Sequence, residues 1–110
     1  MSAHLANHNY MDSHVEQFLL QAKSKALGTI SKDGVCNVVP VSTIKIVTGK
    51  IILVNYFMDK TLANILENNH VTLVAWSDMY GYQVKGVAEY KTSGNWFNEI
   101  VVWVKEILPE

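Results

Sequence analysis

The chain is 110 residues long, with nine lysines, no arginine, ten carboxylates, four histidines and a formal net charge of −1. That balance excludes the basic excess of a nucleic-acid-binding module, and without arginine any bound anion must be held by lysine, hydroxyls and backbone N–H groups. One domain spanning 1–110 is expected at this length, burying roughly two-thirds of its unfolded surface, with residues 1–12 a polar, flexible segment. A single cysteine, Cys36, excludes an internal disulfide and any multi-cysteine metal site and suits a reducing, cytoplasmic setting. No apolar run approaches the ~18 residues of a membrane span, and no leader pattern opens the chain.

Ser13-His14-Val15-Glu16 has the S-x-x-E spacing of a capping box. Val15, Phe18, Leu19 and Ala22 then recur at helical spacing, so 13–24 reads as an amphipathic helix. The period then changes. Ala26 to Ile30 and Val35 to Val47 are β-rich and separated by Lys32-Asp33-Gly34, an Asp-Gly turn between antiparallel strands. Thr48-Gly49-Lys50 turns the chain into Ile51–Asn55, a strand covered on both faces, and these three strands read as a meander.

Helical spacing returns between Tyr56 and His70, where Asp59 can cap and Leu62, Ile65 and Leu66 form the stripe. Val71–Trp76 and Tyr82–Tyr90 are strands joined by the loop Ser77–Gly81. From Asn95 to Leu108, apolar residues nearly encircle a further helix, more than one small domain covers by itself, so a partner chain is expected to cover the rest. The order α, β-meander, short α, β-hairpin, α predicts a mainly β, α+β fold: an antiparallel barrel or curled sheet with peripheral helices.

Three features could carry chemistry. Lys60-Thr61, in the first turn of the short helix, adds a cation and a hydroxyl to unpaired N–H groups, a combination that suits a phosphate; the same residues also read as a solvated lysine and a bystander threonine. In the second strand, Val39-Pro40-Val41-Ser42 contains a proline that cannot donate to a ladder, so this strand lies at an edge or bulges. Its free backbone groups beside Ser42 could meet the polar edge of a planar ring, or simply turn a barrel corner. Aromatic residues cluster near strand ends, including Tyr56, Trp76, Tyr80, Tyr82, Trp96 and Trp103, and either wall a planar ligand or fill the core. Gln83, between apolar neighbours, can donate and accept or face outward in ordinary alternation. Cys36 reads as a buried small hydrophobe. No metal-ligand spacing, G-x-G-x-x-G or P-loop appears, so an enzyme built on this chain would leave the hard chemistry to a cofactor.

Four motifs in order then resemble the pyridoxamine 5′-phosphate oxidase-like, FMN-binding split-barrel family, especially its short members. They are Ala26-Leu27-Gly28-Thr29-Ile30-Ser31 with Asp33-Gly34, Asn37-Val38-Val39-Pro40-Val41-Ser42, Lys60-Thr61 with Asn64, and Gly81-Tyr82-Gln83-Val84-Lys85-Gly86-Val87-Ala88. The resemblance implies a split β-barrel homodimer with FMN at its interface. Lys60 and Thr61 would hold the phosphate, with Lys45 or Lys85 as further cations, and Val39, Pro40, Val41 and Ser42 would line the ribityl chain and ring. Asn55 would stand near the phosphate or ribityl region, Asn64 would fix its helix, and Gln83 would approach the ring or its phosphate arm.

The implied function is a small oxidoreductase passing hydride or electrons through FMN to a small-molecule redox partner or substrate. An electron carrier or flavin store, and a structural or sensory dimer that has lost FMN, are the alternatives. Pyridoxamine phosphate oxidation itself is not implied, because the arginine and histidine of its substrate site have no counterparts. The family usually adds a strand after its last helix, and this chain stops at Pro109-Glu110 where that strand would begin, so the barrel is expected to lack its last strand.

Overall fold

The computed structural model describes residues 11–54, 59–91 and 99–109. Among these residues two helices, α1 (Ser13–Gln21) and α2 (Asp59–Glu67), accompany seven strands: β1 (Ser24–Ile30), β2 (Cys36–Pro40), β3 (Ile44–Val47), β4 (Lys50–Val54), β5 (His70–Ser77), β6 (Tyr80–Lys91) and β7 (Glu99–Pro109). All pairings are antiparallel, in the order β2-β1-β5-β6-β7-β4-β3. This is the mainly β fold with peripheral helices that the sequence predicts, a sheet curled around one core and left open between β2 and β3.

The hairpins follow their turn residues. In the β1–β2 turn Gly34 has φ +86°, its N–H donates to Ser31 O at 3.0 Å, and Ser31 Oγ accepts from the N–H groups of Asp33 and Val35. Thr48 (φ 47°) and Gly49 (φ 76°) join β3 to β4, the paired positive φ values of a two-residue hairpin whose twist matches its strands. Asp78 (φ 56°) begins another two-residue turn, between Ser77 and Tyr80, shorter than the loop expected there; here only the first residue has positive φ.

Four expectations are corrected. The stretch Asn95–Leu108, read as a helix, is strand from Glu99 onward, while Asn95, Trp96 and Phe97 lie outside the described residues. The encircling apolar pattern has another source: β7 lies between β6 and β4, with Ile100, Val102 and Val104 in the core and Val101 buried on the opposite face. Trp103, on that opposite face, is exposed, so the pattern reflects one core face and a partly covered outer one, and β-branched residues favour a strand over a helix. β7 also removes the expected gap, because a strand follows β6 and joins it to β4. Nor is there a three-strand meander, since 41–43 interrupt the strand read as Val35–Val47 and carry the chain from β2 at one sheet edge to β3 at the other. Finally, the cap of α1 is Asp12 rather than Ser13; its carboxylate accepts from Val15 N–H at 3.0 Å, and the helix ends at Gln21.

The core is one cluster on the concave side of the sheet. Leu27, Leu73, Val84, Ile100, Val102, Ile51 and Leu53 are fully buried at successive positions across it, with Leu19 of α1 packed over them. α1 contacts β3 and β6, and α2 contacts β1, β2 and β6. Of the N-terminal segment expected to be flexible, 1–10 lie outside the described residues; Met11 is buried in the core. At the β6–β7 irregularity beside Gly86, a Cβ would stand 2.5 Å from Trp103 O and 2.8 Å from Val102 Cγ1, so the strands approach only because no side chain is there.

Candidate functional site

Strand β2 organises the site. It is an edge strand, as Pro40 requires. Val41 N–H donates to Lys25 O at 2.9 Å, and alternation along an antiparallel pair therefore turns Pro40's missing N–H away from β1, where no ladder bond is lost. Asn37 and Val39 stand opposite Thr29 and Leu27 and are half-buried, whereas Cys36, Val38 and Pro40 face outward. Cys36 is exposed, not the buried hydrophobe expected from its strand position.

At one end of β2, Asn37 Nδ2 donates to Thr61 Oγ1 at 3.2 Å. Thr61 is fully buried in the first turn of α2, and Lys60 beside it is exposed. Asn64, one helical turn on, is also buried and donates to Thr29 Oγ1 at 3.0 Å. The two bonds fix α2 to β2 and β1 and hold the first turn of a nine-residue helix, with its partial positive charge, beside Asn37. Asp59 is the first residue inside the helix and not the cap before it.

At the other end, Pro40, Val41 and Ser42 line a cleft of about 540 Å³ with Lys23, Ser24, Lys25 and Trp76. Asn37 and Ser42 are five residues apart, a span of roughly 16 Å in extended chain. Val39, between them, spends its side chain on the core. Gln83 is not brought to these residues: it stands on β6 opposite Val74 and Leu108, three strand spacings from β2, or roughly 14 Å. Lys45 lies on β3, at the other sheet edge. Asn55, with Tyr56 and Phe57, lies outside the described residues.

Two features of this region escaped sequence reasoning. Lys25 lines the cleft with Ser42 and with Trp76, one of the aromatics read as a possible wall; the available signal was Lys25's place two residues before inward-facing Leu27 on the same strand face. A larger cleft of about 680 Å³ adjoins the α2 end of β2, lined by Gly28, Ile30, Val38, Val71 and Thr72 with His70, Lys85 and Lys105 among its polar groups. Among the described residues no group of histidine, cysteine and carboxylates could hold a metal ion, and no helix is long and apolar enough to cross a membrane. The aromatics divide: Tyr82 meets Phe18 edge-on at 5.3 Å against the core, whereas Trp76, Tyr80 and Trp103 remain exposed.

The family model described as pyridoxamine 5′-phosphate oxidase matches residues 11–108. An uncharacterized protein of Methanocaldococcus jannaschii is 44% identical over 75 residues, which are 64% of this chain and 50% of that protein. The chain thus spans about half the length of the curated relative it matches. Among solved structures, an FMN-binding protein from Syntrophomonas wolfei superposes with a TM-score of 0.75 at 18% identity, covering 99% of this chain and 88% of its own. HutZ, the heme storage protein of Vibrio cholerae, superposes with a TM-score of 0.72 at 10% identity, covering 91% and 95%.

Proposed function

Given that this chain belongs to the pyridoxamine 5′-phosphate oxidase family, we propose that it binds FMN at a homodimer interface, one per subunit, and works as a small oxidoreductase. The observation that carries this reading is the layout of β2. Thr61 bonds to Asn37 at the head of α2, and roughly 16 Å along the strand Pro40, Val41 and Ser42 open into a cleft beside the Trp76 indole and a buried lysine. A ligand with a phosphate at one end and a flat ring at the other fits that sequence of groups.

In this reading Lys60 and the first-turn N–H groups of α2 hold the phosphate. Thr61 contributes through its place in that turn, its hydroxyl oxygen accepting from Asn37. The Pro40–Ser42 backbone and the Ser42 hydroxyl face the ring edge. Gln83, on the strand beside β5 and opposite Val74, two residues from Trp76, approaches the ring from that side. Bound flavin supplies hydride or electron exchange with a small-molecule partner, and the chain's own residues bind, orient and shield it. Dimerisation is supported by the outward face of β2 and β5, where Val38 is 67% and Trp76 39% exposed. A second copy packed on that face would cover both side chains.

Comparing FMN with riboflavin tests the phosphate assignment, since the two differ only in that group. Lys60→Ala is expected to weaken FMN on the order of tenfold, as loss of a charge-assisted contact does, and to leave riboflavin unchanged. An unchanged FMN affinity would refute the role of Lys60.

A second reading rests on the larger cleft, where His70 and two lysines border an apolar wall. That combination suits a haem, with imidazole as iron ligand and lysines for the propionates. Titration with hemin, compared between the wild type and His70→Ala, tests it: a Soret shift dependent on His70 supports the reading, and its absence in both proteins removes it.

A further inference from the structure

Lys25 is only 7% exposed. Its ammonium donates to Ala22 O at 2.6 Å, and among the described residues no carboxylate pairs with it. An ammonium has three N–H donors, and removing one from water without a counter-charge is costly. The fold nevertheless holds Lys25 firmly. Its carbonyl accepts from Val41 N–H, its strand pairs with β5 at Ala75, and the bonded Ala22 carbonyl belongs to the residue capping α1. Lys25 is among the residues that line the 540 Å³ cleft, with Pro40, Val41, Ser42 and Trp76. A buried cation with donors to spare, a hydroxyl and an indole form a place for a flat, oxygen-bearing group that carries or acquires negative charge.

We infer that Lys25 is the ligand of the flavin's pyrimidine edge and favours the reduced ring. The inference rests on the FMN reading above and adds the polarity of binding. The phosphate lies at the α2 end of β2, beside Lys60, so the ring lies at the Ser42 end. Its pyrimidine edge carries two carbonyl oxygens and the N1 position where charge accumulates on reduction, and a fixed cation there stabilises that charge.

The test compares wild type with Lys25→Met, which keeps the length and apolar stem, and with Lys25→Arg, which keeps the charge. Lys25→Met is expected to weaken FMN and riboflavin alike, by on the order of tenfold to a hundredfold, and to make the midpoint potential of the bound flavin more negative. Lys25→Arg is expected to restore the potential. A folded Lys25→Met protein with unchanged potential overturns the inference while FMN binding by the wild type keeps the broader reading intact; weaker binding at unchanged potential likewise reduces Lys25 to a packing role. Should the methionine variant fail to fold, the Lys25 Nζ resonance of the unaltered protein is expected to move on addition of riboflavin. An unmoved resonance at saturation overturns the inference. If neither flavin binds the wild type, the FMN reading itself falls, and this inference with it.

Discussion

Asn64 Nδ2 donates a 3.0 Å hydrogen bond to Thr29 Oγ1, joining two buried side chains 35 residues apart in sequence. Together with the Asn37–Thr61 bond it determines where α2 begins relative to β2. Replacing Asn64 with Ala leaves the Thr29 hydroxyl buried without this partner, which costs about 1–3 kcal/mol. Urea denaturation is expected to show a lower midpoint at unchanged slope; an unchanged midpoint would mean that the bond contributes nothing to α2 docking.

Gly86 permits the close approach of β6 and β7. A methyl group there would overlap Trp103 O and Val102 Cγ1, and overpacking against backbone costs about 1–3 kcal/mol or more. Gly86→Ala is therefore expected to lower the melting temperature, while Gly34→Ala acts by a different route, through its φ of +86° in open space. Equal stability of Gly86→Ala and wild type would contradict the tight β6–β7 register.

Glu89 is exposed and accepts from Trp103 Nε1–H at 3.2 Å, and Lys50 sits 4.9 Å over the same indole. The Trp103 hydrogen bond, then Lys91 and at longer range Lys50, hold its carboxyl below the ordinary glutamate range. A carboxyl depressed in the folded state favours folding above its unfolded pKa, and that contribution is lost as pH falls through the folded value. Solvent screening makes the contribution small. NMR titration is expected to give Glu89 a midpoint below that of a free glutamate, rising in Trp103→Phe; a midpoint unaffected by that replacement would discount the indole bond.

Val38 faces outward from β2. If that face meets its copy, Val38→Asp buries like charges in the interface, and sedimentation should show a folded monomer where wild type is a dimer. The exposed position leaves monomer stability within about 0.5 kcal/mol. An aspartate variant still dimeric would place the interface elsewhere.

How much of this was legible in the sequence depends on how local each signal is. Asp33-Gly34 and Thr48-Gly49 marked two hairpins because turn chemistry is set by neighbouring residues, and Pro40 marked an edge strand for the same reason. The β7 strand was misread because a run rich in apolar residues describes a strand and a buried helix equally well; the deciding fact, that β4 and β6 flank it, is non-local. The meander failed similarly, since nothing between Val41 and Thr43 announces a crossing to the far sheet edge. At the site, Lys60-Thr61 was legible as a helix start, but Thr61's burial depends on Asn37, and Lys25's depends on where α1 ends.

The central claim is that this chain holds FMN through β2 and the head of α2, and the most direct measurement is a titration of the purified protein with FMN followed by flavin fluorescence and absorbance. Saturable binding at one FMN per chain is expected, with perturbed flavin bands and tighter binding of FMN than of riboflavin. Flavin that stays spectrally free at protein concentrations well above micromolar would contradict it.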